Sequence, residues 1–222
     1  MLKFLSFVLG TMIKINYVIS DHSGVIQDDL ARVVDATNGV FRDYRVPQIS
    51  IAEFKDQFKI PFDDFYKARG ITDSQERIQS SFRKHYEESR VPVKPFFGAV
   101  DALRILWKKQ KKMSVISGHP QQYLDQDLEN YSLKNCLEEA IGNAVEKKDA
   151  MEDLLKRHNL DPKEVLLVED MEYGIKSAKE LGINTVGVTC GYRNFYIINS
   201  SKPDLIVPSL HRLFMQWHTQ FE

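Results

Sequence analysis

The chain has 222 residues, 43% hydrophobic and 27% charged, with 30 basic against 31 acidic side chains and a formal net charge of −1. That length suffices for one or two domains with a well-buried core, and the composition is that of an ordinary globule. The near-even charge balance gives no electrostatic basis for binding nucleic acid or a membrane surface. Cys136 and Cys190 show neither metal-ligand spacing nor disulfide density, which fits a reducing, cytoplasmic setting.

Residues 1–13 read MLKFLSFVLGTMI, one lysine followed by an apolar stretch in the manner of a weak secretion signal. No small-residue cleavage site follows, and the stretch is too short to span a bilayer. Residues 1–11 are therefore expected to be an apolar extension ahead of a domain that opens at about residue 12. Residues 15–20 are β-branched and aromatic and predict a buried strand ending at Asp21. Residues 28–44 predict a helix with Leu30, Val33, Val34, Thr37 and Phe41 along one face. Ser50-Ile-Ala-Glu53 is a capping box opening a helix to about residue 58. Thr72-Asp-Ser-Gln75 is a second, opening a helix to residue 88. No strand pattern intervenes. The expected organisation is an all-helical insert over 28–91, with 12–27 and 92–222 forming the body.

Beyond Pro92 and Pro95 the pattern alternates. Helices are predicted over 99–111, 149–158 and 173–181, the last closed by Gly182, with a final helix capped by Ser209. Strands are predicted over 113–117, 165–168, 185–189 and 205–207. Alternation of this kind predicts an α/β body with a doubly wound parallel sheet.

Four sites fall at or just beyond strand ends, on what should be one edge of that sheet: Asp21, Ser117, Lys147 or Lys148, and Glu169-Asp170. They supply a carboxylate nucleophile, a hydroxyl with nearby backbone amides, a cation and a pair of acids. Adjacent carboxylates repel unless a cation sits between them, and oxygen ligands beside a phosphate favour magnesium. Such a set suits attack on a phosphoryl group.

In these residues the chain resembles the haloacid dehalogenase-like hydrolases, over roughly residues 13 to 217, and looks most like the phosphoglycolate phosphatase and β-phosphoglucomutase branch with its helical cap. The DxDGT motif of that family appears as Asp21-His22-Ser23-Gly24-Val25, the strand-end Ser or Thr as Ser117 followed by Gly118, the lysine as Lys147 or Lys148, and the acidic motif as Glu169-Asp170 with Gly174-Ile175 and Ala178 after it. The resemblance implies that Asp21 is the nucleophile and, with Asp170 and Glu169 and the backbone carbonyl of Ser23, a ligand of Mg2+. It implies that Ser117, with Gly118, His119 and the lysines at 147 and 148, meets the substrate, a small phosphorylated metabolite. Lys147 fits the spacing of relatives without a Lys-Pro signature better than Lys148 does.

One departure matters. Phosphatases of this family carry a second aspartate where this chain has Ser23, and a serine hydroxyl is far too weak an acid to protonate a leaving group near pH 7. Two alternatives to a phosphatase follow: a phospho-ligand-binding protein with impaired catalysis, and a phosphonoacetaldehyde hydrolase-like enzyme, for which Lys55, Lys59 or Lys67 would form a Schiff base. His119 is a candidate substitute acid or base. Phe54, Phe58, Phe62, Phe65 and Tyr66 recur at helical spacing and read as core of the helical insert or as a substrate platform.

Overall fold

The computed structural model describes residues 13–221. The expected apolar extension over 1–11 lies outside the described residues. A six-stranded sheet forms the body, in the order β5 (Glu139–Ile141), β4 (Lys112–Ile116), β1 (Tyr17–Ser20), β6 (Val165–Glu169), β7 (Asn184–Val188), β8 (Leu205–Val207). Every neighbouring pair is parallel. The strand order turns back at β1, which is hydrogen-bonded to β4 on one side and β6 on the other.

β1 and β6 are buried along their whole length, which is why they read as unbroken apolar runs. Successive side chains still point to opposite faces. Val18, Leu166 and Val168 face one cluster with Leu103 and Leu106 of α5 (Ala99–Lys108) and Leu210 of α10 (Leu210–Met215). Tyr17, Ile19, Val165 and Leu167 face the other, with Met151 and Leu154 of α7 (Lys147–Arg157) and Ala178 of α8 (Glu172–Glu180). The predicted doubly wound α/β body is the one observed.

Between β1 and α5 the chain leaves through β2 (Gln27–Asp28) and returns through β3 (Lys94–Pro95), and these two short strands pair antiparallel with each other. Between them lie α1 (Leu30–Asp43), α2 (Ile51–Gln57), α3 (Phe62–Lys67) and α4 (Gln75–Glu88). Leu30, Val34 and Phe41 of α1, spaced along one helical face, meet Phe54, Phe65 and Ile78 in a third core. The Ser50–Glu53 capping box forms as predicted. The cap of α4 is corrected: Ser74, not Thr72, accepts from the Arg77 amide, because the helix begins at Gln75 and the residue before it supplies the cap. Elements with no predicted span include the edge strand β5, α6 (Gln121–Asn130), α3 and the short β2–β3 pair. Among the described residues, no helix is long and apolar enough to cross a membrane.

Candidate active site

Since every strand of the sheet points the same way, each loop at its carboxyl edge opens on the same rim. Asp21 follows β1, Ser117 follows β4, and Glu169 and Asp170 end and follow β6. All four are buried. Lys147, the first residue of α7, reaches in from the side and is buried too. Its Nζ lies 2.6 Å from Asp21 Oδ2 and 2.7 Å from Glu169 Oε2. Burial by itself would lower the Lys147 pKa, but Asp21 and Glu169 more than offset it and hold the ammonium above its ordinary range.

The acids have distinct partners. Asp21 Oδ1 accepts from the His22 amide at 2.7 Å. Glu169 is fully engaged: Oε1 accepts from the amides of Asp170 and Met171, each at 3.0 Å, and Oε2 from Lys147. Asp170 Oδ2 accepts from the Tyr192 amide at 2.6 Å, whereas its buried Oδ1 has no hydrogen-bond partner. Burial first, then the charges of its neighbours, pushes the Asp170 carboxyl well above its usual value, and burial and Asp21 push Glu169 to about 7. Three glycines, Gly24, Gly174 and Gly191, make room for this crowding. A Cβ on Gly24, whose φ is +80°, would lie 2.0 Å from Asp170 Oδ2, and one on Gly174 would lie 2.3 Å from Glu169 Oε2.

Asp21, Glu169 and Asp170 bring ligand oxygens within 4.8 Å of one another. Three acids against one lysine, with an orphaned buried oxygen on Asp170, fit a hard divalent cation held by oxygen. With Glu169 engaged by Lys147 and two amides, Asp21 and Asp170 are the carboxylates with capacity to spare.

A cavity of about 500 Å³ opens over this rim and is lined by Asp21, Ser23, Ser117, Gly118, His119, Lys147 and Asp170, among others. Ser117 Oγ accepts from the His119 amide at 3.2 Å. Lys148 does not join them. Its ammonium pairs with Glu180 on the surface, since consecutive helical residues point about 100° apart; Lys148, expected beside the substrate, does not line the cavity, whereas Lys147 does. His119 stands on the cavity wall, and burial, with the His22 charge second, lowers its pKa to about 4. Near pH 7 it is neutral and a poor proton donor. Lys59 pairs with Asp64 in solvent, and none of Lys55, Lys59 and Lys67 lines the cavity. Of the insert aromatics, Phe54 and Phe65 are core, Phe58 and Phe62 line the cavity, and Tyr66 does both.

Asp29 and Arg193, beside the site, escaped the sequence reading. Asp29, just before α1, is buried at the cavity wall; its Oδ1 accepts from the Tyr192 hydroxyl at 2.9 Å while Oδ2 has no partner. Burial raises this carboxyl to about 6, against the lowering effect of the adjacent Ser23 and Tyr192 hydroxyls. Arg193 is also buried. It grips Glu172 through Nε and Nη2, each at 2.9 Å, and donates from Nη1 to the backbone carbonyls of Lys55 (3.0 Å) and Phe58. Those carbonyls lie at the end of α2, where helical partners run out and the dipole is negative.

The sequence profile described as haloacid dehalogenase-like hydrolase matches residues 18–188, which include Asp21, Ser117, Lys147 and Asp170. The chain belongs to that family. It is 25% identical over 172 residues to a phosphoglycolate phosphatase of Vibrio vulnificus (strain YJ016), covering 75% of this chain and 67% of the relative. It is 27% identical over 129 residues to the phosphoglycolate phosphatase of Aliivibrio fischeri (strain ATCC 700601 / ES114), covering 55% of this chain and 57% of the relative. The matches thus span from just over half to two thirds of these relatives' own lengths. Among solved structures, a hydrolase from Pseudomonas syringae superposes with a TM-score of 0.79 at 15% identity, over 93% of this chain and 100% of that one. A haloacid dehalogenase-like family hydrolase from Streptococcus pneumoniae superposes at 0.77 and 17%, over 90% and 97%. These likenesses carry the fold.

Proposed function

We propose that this haloacid dehalogenase-like hydrolase is a magnesium-dependent phosphatase of a small phosphorylated metabolite, working through an aspartyl phosphate on Asp21. The observation that carries the reading is the convergence of Asp21, Ser117, Lys147 and Asp170 on one cavity at the carboxyl edge of the sheet. An Asp21 carboxylate oxygen attacks phosphorus and the ester P–O bond breaks, the leaving oxygen taking a proton from the Asp29 carboxyl to depart as the alcohol. Water then attacks phosphorus, the acyl phosphate opens, and phosphate leaves with the Asp21 carboxylate restored. Lys147 neutralises charge on the transferring group, and the Ser117 hydroxyl holds one of its oxygens. The magnesium ion, held by Asp21 and Asp170 with the Ser23 carbonyl, would supply further charge neutralisation for the phosphoryl oxygens. The helical insert 28–91 acts as a cap that excludes water and selects the substrate.

Proton handling falls to a different group than in phosphatases with a second aspartate. Ser23 cannot serve alone. The Asp29 carboxylate, beside Ser23 on the cavity wall, is the base for the attacking water, directly or through the Ser23 hydroxyl.

Phosphate release from a panel of small esters with magnesium tests the reading. Turnover above an Asp21→Asn control is expected, and none on any ester would sink it. The Ser23 substitution favours a second reading, a phospho-ligand-binding protein that releases no phosphate. Carbon–phosphorus cleavage has no lysine of the insert at the cavity to rest on.

A further inference from the structure

The cavity over Asp21 has two unlike ends. At the rim it is polar and charged. Its far wall, contributed by the helical insert, is mostly apolar, with Val33, Phe58, Phe62, Ile78 and Phe82, and carries Thr37, Gln79 and the exposed Arg83 among them. A pocket of about 500 Å³ lies within the roughly 300–1,000 Å³ that enclose drug-sized ligands, and a two-carbon phosphoester would leave most of this one unfilled.

Charge decides what the far end accepts. Among the lining residues the cations are Lys147 and Arg83. Lys147 is engaged by Asp21 and Glu169 at the rim. Arg83 is exposed. Three further arginines at or in the insert are committed elsewhere: Arg193 to Glu172 and two backbone carbonyls, Arg69 to the Phe65 ring, its carbonyl and Gln57, and Arg32 to the Val91 carbonyl and the Tyr86 ring. No buried cation faces that wall, and the nearest buried acid, Asp29 beside Ser23, adds negative charge between it and the rim. A second anion on the substrate, such as the carboxylate of phosphoglycolate, would be desolvated against this wall with no buried cation to pair with. An apolar group would instead displace water from apolar surface.

We propose that the substrate is the phosphate monoester of an uncharged, largely apolar alcohol of cyclic or aromatic size, whose organic part lies against the insert wall while its phosphate meets Asp21, Ser117 and Lys147. The proposal rests on the phosphatase reading for its turnover test, but it also predicts binding where no turnover occurs.

Both arms use the full chain with magnesium. In the first, kcat/KM is measured for ethyl phosphate, 2-cyclohexylethyl phosphate and 2-phosphoglycolate. Ethanol and cyclohexylethanol are matched in acidity, so leaving-group chemistry cancels between those two. The cyclohexylethyl ester is expected to exceed ethyl phosphate by about tenfold or more, with phosphoglycolate below both. In the second, calorimetry ranks the corresponding phosphonates, ethylphosphonate, 2-cyclohexylethylphosphonate and phosphonoacetate, and the same order is expected. Phe82→Arg, which places a cation on the far wall, should narrow the ratio between the apolar and the carboxylated ligand in both arms. Absence of turnover with the phosphonate order intact overturns the phosphatase reading and leaves the substrate class standing. Phosphoglycolate or phosphonoacetate preferred, or no gain from the cyclohexyl group, overturns the substrate class whatever the turnover.

Discussion

Lys147 Nζ stands 2.6 Å from Asp21 Oδ2 although 126 residues separate the two in sequence, and both are buried. Lys147 is thus the cation that makes three neighbouring buried acids tolerable. Lys147→Met should cost at least about 3 kcal/mol of stability, the scale of breaking a buried pair from one side, and abolish phosphate release. Lys148→Ala, one position along the same helix, should stay within about 0.5 kcal/mol. Urea unfolding of the two variants checks the contrast, and equal losses would contradict it.

Restoring the absent acid should speed the reaction. Ser23→Asp is expected to raise phosphate release by about 10²–10⁴-fold. Asp29→Asn should slow the native enzyme yet have little effect once Ser23→Asp is present, because the new carboxylate takes over the proton. Single-turnover kinetics on the four forms reads this coupling. Additive effects would mean that Asp29 acts through packing alone.

His119 should titrate near pH 4 rather than at the ordinary 6.5. The sign follows from which state binds the proton first. As pH falls below 6.5 the unfolded chain protonates while the folded imidazole resists, so His119 costs stability, increasingly down to its folded pKa. Between pH 7 and pH 5 the wild type should lose about 2 kcal/mol more unfolding free energy than His119→Gln, from about 1.36 kcal/mol per pH unit over the 1.5 units below 6.5. Chemical denaturation at the two pH values checks it; parallel losses in the two proteins would show His119 to be exposed.

Arg193 fastens the loop after β7 to the end of α2. Arg193→Met removes bonds to two otherwise orphaned carbonyls and leaves Glu172 unpaired, for a loss of about 2 kcal/mol or more. Amide hydrogen exchange should accelerate in α2 more than in α4. An unchanged α2 would refute the role of that contact.

The parts of the molecule legible in the sequence are those whose signal is local. β1 and β6 announce themselves as apolar runs because both of their faces are buried. Ser50 and Glu53 form their cap because its partners lie three residues apart. β5 escaped because it is a three-residue edge strand, half-buried throughout, with no apolar run to read. α6 escaped because only Leu124 and Leu128 of its ten residues are buried. The choice between Lys147 and Lys148 turns on a helical phase that begins at residue 147 itself. Asp29 was hidden for a different reason. In sequence it is one of two acids before a helix, a common solvated arrangement, and its burial is the work of Tyr192, 163 residues away. Arg193 likewise meets partners 135 and 138 residues distant, and no window on the sequence holds both ends.

The pairing of Gln27 and Asp28 with Pro95 and Lys94 separates two problems that the chain has to solve. Whatever is threaded between those residues departs and comes home through a single doorway, so the strands behind it never register its length. Loop-closure entropy grows only with the logarithm of that length. A transplanted insert, spliced at Asp28 and Lys94, would hand this rim a new clientele without rewiring the machinery beneath it.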